Sequence, residues 1–61
     1  MTLEQLKEWI KVQITKHPEH KEEMLNFYSL CIDEISEGGS LDNEISLCRN
    51  SIEELIEQVN D

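Results

Sequence analysis

Proline occurs once, glycine twice, and Trp, Tyr and Phe once each in these 61 residues. So few chain breakers exclude the closely spaced turns that an all-β domain of this size needs. Positive charge is the second scarcity: four Lys and one Arg stand against 14 acids, for a formal charge of −9. Such a surface repels phosphate backbones and anionic lipid, which argues against direct binding of nucleic acid or membrane. No apolar run exceeds the three residues Leu30 to Ile32, so no membrane span is expected. The opening Met1-Thr2-Leu3-Glu4-Gln5 has neither the basic start nor the apolar stretch of a signal peptide. A cytoplasmic location is expected, with the two cysteines, Cys31 and Cys48, as reduced and packed thiols.

What the chain does have is helical periodicity. Leu41, Ile45, Cys48, Ile52, Leu55 and Val59 recur at steps of four and three, drawing one apolar stripe along a helix. Leu3, Leu6, Ile10 and Ile14, flanked by Trp9, form a second stripe near the N-terminus. Thr2 and Gln5 ahead of it have the spacing of a capping box, in which each side chain satisfies a free amide of the other residue. This helix should stop near Lys16 or His17, because the residue before Pro18 is disfavoured in the α conformation. Pro18 suits the first turn of a second helix, with Glu19, Glu22 and Glu23 at the positive end of its dipole. Its stripe is Met24, Tyr28, Cys31 and Ile35, widened by Leu25, Phe27 and Ile32.

Gly38 has the position of a left-handed residue ending the second helix, and Ser40 or Asp42 can cap the third. So short a connection requires an antiparallel hairpin. If residues level with one another sum to about 80, Tyr28 meets Ile52, Cys31 meets Cys48 and Ile35 meets Ile45, joining stripe to stripe. Ser51 and Glu54 form another capping-box pattern, but the apolar phase runs through it unchanged, so no break is expected there. The expected fold is an all-α, single-domain three-helix bundle, with helices at about 3–16, 18–37 and 41–59. The short His17-Pro18 junction permits the first helix to pack on its own hairpin or to swap between chains.

Chemical signatures are sparse. His17, His20, Cys31 and Cys48 are the soft or borderline metal ligands, but their spacing matches no zinc pattern, and packed thiols with surface imidazoles are expected instead. Neither cysteine lies in a CxxC arrangement or beside a basic helix start, so redox catalysis is not expected. The carboxylates fall mainly on outer faces, and neither a phosphate loop nor a nucleophile elbow is present. No catalytic residue, metal or cofactor is therefore assigned, and the chain reads as a non-enzyme.

The surface is more informative. Residues 22–61 hold only Arg49 against eleven acids, a balance of −10, while residues 1–21 balance at +1. A protein partner with a basic surface is the natural complement. Val12, Leu30 and Leu47, one in each helix, lie outside their core arcs; should two of them adjoin, they would form an apolar patch rimmed by acids. Trp9 can serve as a core plug or an interface anchor. The expected partner-binding set is Asp33, Glu34, Glu37, Glu53, Glu54 and Glu57 for charge, with Leu30, Leu47 or Val12 as the apolar anchor.

The segment Leu30 to Ile56, with Asp33-Glu34-Ile35, the Glu37-Gly38-Gly39-Ser40 turn, Glu44-Ile45-Ser46-Leu47-Cys48 and Ser51-Ile52-Glu53-Glu54-Leu55, resembles small acidic helical accessory proteins of tailed bacteriophages. The resemblance implies a protein made in the host cytoplasm that binds and modulates or inhibits a host protein. It carries over no site residues. Mimicry of nucleic acid is a variant of this reading. The interaction module can itself be a homodimer, and the rivals to it are a self-assembling structural protein and a small metal- or ligand-binding protein.

Overall fold

In a computed structural model, the backbone is described for residues 1–59 and the side chains for residues 1–57. The Val59 side chain of the third stripe and Asp61 lie outside those described. Three helices, α1 (Leu3–Lys16), α2 (Lys21–Ser36) and α3 (Leu41–Val59), account for nearly all the described chain, which contains no strand. The fold is the expected small all-α three-helix bundle. Among the described residues no helix is long and apolar enough to cross a membrane.

The local signals explain most boundaries. Thr2 caps α1 as a complete capping box: the Gln5 amide donates to Thr2 Oγ1 at 3.2 Å, and the Thr2 amide donates to Gln5 Oε1 at 2.9 Å. His17, ahead of Pro18, leaves the helix with φ −133° and ψ 66°. The second helix differs from expectation at its start. Pro18–His20 forms a 3-10 turn, with the His20 amide donating to the His17 carbonyl at 3.0 Å, and the α-helix proper begins at Lys21. Tighter i→i+3 bonding reverses the chain within a junction too short for an α turn.

The other end of α2 closes as a Schellman motif. The Gly39 amide donates to the Glu34 carbonyl at 2.8 Å and the Gly38 amide to the Ile35 carbonyl at 3.1 Å, with Glu37 as the cap residue just beyond Ser36. Gly38 has φ +106°, in the left-handed region. Gly39 is required for a different reason, since a Cβ there would lie 2.8 Å from the Glu34 carbonyl oxygen. The Ser40 carbonyl then accepts the Glu44 amide at 2.9 Å and opens α3, which runs unbroken past Ser51 and Glu54.

Leu6, Ile10, Met24, Cys31, Ile45, Cys48 and Ile52 form the buried core, with Leu3, Trp9, Ile14, Phe27, Tyr28, Ile35 and Ile56 packed against it. All six residues of the three register pairs belong to this set. The α1 helix packs on the hairpin of its own chain, and α2 against α3 is the largest interface. Four expected core positions move, the first being Ile32, which is half-buried and not among the residues packed against the core. Leu25 is exposed, being about 100° around α2 from Met24. Leu41 is exposed at a turn whose two glycines present no side chain against it. Leu55 is half-buried, and Ile56 packs against the core at that level of α3.

Candidate functional site

The α1 helix covers one flank of the α2–α3 hairpin, and the other flank is open. Arg49 marks the covered side, because its guanidinium sits 5.2 Å from the centre of the Trp9 ring of α1. Leu47 and Ser51 are each two positions from Arg49, which places them about 160° around α3, on the far side. There they line a groove of about 290 Å³ with Glu44 and Cys48 of α3 and with Phe27, Leu30, Cys31 and Glu34 of α2. Leu30 and Leu47 are 57% and 53% exposed, so the groove opens outward between two apolar lips. A smaller depression shares Phe27 and Ser51 with it and extends the apolar surface to Leu55 and Glu54.

Two of the three expected apolar anchors therefore adjoin. Val12 is exposed on α1 and does not line the groove. Among the acids, Glu34 stands on the α2 wall and Glu54 beside the extension. Asp33, Glu37, Glu53 and Glu57 are exposed elsewhere, and Glu53 lies 3.6 Å from Arg49 on the covered side. Glu44 on the α3 wall and Phe27 on the α2 wall complete the site and were not singled out from sequence. A signal for both exists in the steps Phe27-Leu30-Glu34 and Glu44-Leu47-Ser51-Leu55, which trace a second line along each helix beside the core stripe.

The floor of the groove is made by the two thiols. Cys31 and Cys48 are both free and buried, and both line the groove. Burial pushes the Cys48 thiol up to about 11, with the charge of an ionised Cys31 adding to the effect. Burial also raises Cys31, followed by the carboxylate of Glu44. Both sulfurs are therefore protonated near neutral pH, and the floor is apolar rather than nucleophilic.

Among the described residues no three His, Cys, Asp or Glu side chains converge to hold a metal ion. The histidines differ from the expected surface imidazoles. His20 is only 14% exposed at the α1–α2 junction, 3.5 Å from a Glu23 oxygen, and neither of its ring nitrogens makes a hydrogen bond among the described residues. The turn that starts at Pro18 folds this side chain inward. Trp9, expected either in the core or at an interface, packs half-buried against the core with Arg49 over its ring.

The arrangement defines a small helical bundle with one covered flank and one acid-rimmed apolar groove, without a reactive constellation among the described side chains. Comparison with protein-family models, curated protein sequences and solved structures finds no match to this chain.

Proposed function

We propose that this chain is a non-enzymatic protein-interaction module that engages a basic protein surface through the α2–α3 groove. The observation that carries this reading is the adjacency of Leu30 and Leu47, both more than half exposed, between walls bearing Glu34 and Glu44. Apolar residues at the centre of a contact supply affinity, while a charged rim accelerates and orients association. The acidic second half of the chain, with Arg49 as its one base, favours a partner rich in Lys and Arg. The resemblance of the hairpin to small acidic phage proteins supports an accessory role in the cytoplasm of an infected bacterium. The mechanism would be occlusion, in which the module covers a surface its partner needs.

Affinity capture from a bacterial lysate tests the proposal, using the wild-type chain, Leu47→Ser and the double reversal Glu34→Lys/Glu44→Lys. Leu47 and Glu34 are exposed and Glu44 is half-buried at the groove wall, none of them in the core, so the variants should fold. The expected outcome is a retained protein that is lost with Leu47→Ser and with the double reversal. Retention of nothing, or retention indifferent to both changes, would defeat it.

A further inference from the structure

Resting on that reading, we infer that the occupant of the α2–α3 groove is an amphipathic helix of about three turns, flanked on both sides of its apolar stripe by Lys or Arg. The opposite flank of the hairpin supplies the pattern. There α1 covers the hairpin with Leu6 and Ile10, one turn apart, and both are fully buried against it. On the open flank the apolar lining runs along α3 from Glu44 to Leu55. Eleven helical rises span about 16 Å, which an antiparallel or parallel helix of about 11 residues matches.

Charge identifies the flanks. Glu34 and Glu44 stand on opposite walls and Glu54 beside the extension, while no Lys or Arg lines either part. The one base in this half of the chain, Arg49, is turned to Trp9 on the covered side. A helix seated here meets acid on both edges and apolar side chains and thiols beneath. A second copy of this chain fits poorly, because a two-fold contact through the groove sets Glu34 and Glu44 against either their own counterparts or Glu54, acid against acid in both orientations. An extended strand gains nothing, since helix walls offer no free backbone edge to pair with.

The experiment uses the full chain and three 14-residue probes: a leucine–lysine peptide with helical apolar spacing, a scramble of the same composition, and a leucine–glutamate peptide with the original spacing. Amide chemical shifts report binding, and the rate of N-ethylmaleimide labelling of Cys31 and Cys48 reports cover over the floor. The amphipathic leucine–lysine peptide should bind saturably, slow the labelling at least fivefold and lose at least tenfold in affinity with Leu47→Ser. The leucine–glutamate peptide should not bind.

Equal binding of the scramble, absence of binding by the amphipathic peptide, or unchanged labelling at saturation would overturn the inference. A Leu47-dependent doubling of mass by light scattering, without peptide, would assign the groove to a second copy and overturn it too. Failure of the peptide alongside Leu47-dependent capture of a protein would remove the helical occupant and leave the interaction reading standing. Failure of both would remove both.

Discussion

The two flanks of the α2–α3 hairpin are built from neighbouring lines of the same helices, yet one is core and the other is surface. On the α1 side, Ile52 and Met24 are fully buried and Arg49 closes the edge over Trp9. On the other side, Leu30 and Leu47 are as apolar as any core residue and stand more than half exposed. The difference is not composition but the presence of a third helix. An apolar residue stabilises a fold only where something covers it, and the same residue uncovered is available for a partner.

The largest effect that separates the flanks is expected from Ile52→Ala. Truncating a fully buried Ile costs about 2–5 kcal/mol, a large share of what a domain of this size possesses. Urea denaturation should show a chain largely unfolded or close to it. A loss below about 1 kcal/mol would mean that the covered flank is not the core.

Next in size is the floor between the flanks. Because the Cys48 thiol is raised from 9.0 to about 11 in the folded chain, the native state holds this proton more tightly than the unfolded state does. Its contribution is complete below about pH 9 and is lost as pH rises through about 11, amounting to about 1–2 kcal/mol at the alkaline limit once solvent screening and the part shared with Cys31 are allowed for. Thermal melts between these pH values should show a decline that is much shallower in Cys48→Val. An identical decline in the variant would place the titration elsewhere.

Gly38→Ala tests the turn that sets both flanks in register. A Cβ at Gly38 meets nothing within 4 Å, so the cost is that of φ +106° alone, about 1–2 kcal/mol. Chemical denaturation measures it, and a neutral result would show that the turn can rearrange. Arg49→Ala should remove about 0.5–1 kcal/mol with its stacking on Trp9, little more coming from the exposed pair with Glu53. The Trp9 fluorescence should shift to the red while peptide binding to the groove stays unchanged. Loss of that binding would show that the flanks are coupled.

Leu47→Ala completes the series with the smallest effect on stability, within about 0.5 kcal/mol, and the largest on binding. A stability loss as great as that of Ile52→Ala would break the distinction between the flanks.

How far the sequence carried this reading varies along the chain. The Thr2 and Gln5 box, the end of α1 before Pro18 and the glycine turn were legible because each depends on atoms a few residues apart. The level pairing of Cys31 with Cys48 was also legible, since a short turn between two long helices leaves little freedom of register. The 3-10 turn at Pro18 was not, because chain reversal against α1 decides it. Nor was the inward position of His20, which no periodicity announces. In the groove, Leu30, Leu47, Glu34 and Glu54 were legible as surface candidates. Glu44 shows in the sequence only as the first step of the line Glu44-Leu47-Ser51-Leu55, and its place opposite Glu34 is set by packing alone.

The amino-acid sequence by itself determined three helices, the Thr2–Gln5 cap of the first, the glycine end of the second, the hairpin and the charge imbalance, all of which follow from local backbone chemistry and spacing. Only the tertiary structure decided which apolar residues are core. Leu25 and Leu41 carry the same side chain as Leu6, and they differ from it in having no neighbouring helix over them. It also decided that Glu44 and not Glu53 borders the groove, because α1 occupies the flank to which Glu53 belongs. The first helix covers one side of the hairpin formed by the other two and leaves the second side to solvent, and that leftover side is where the candidate function lies.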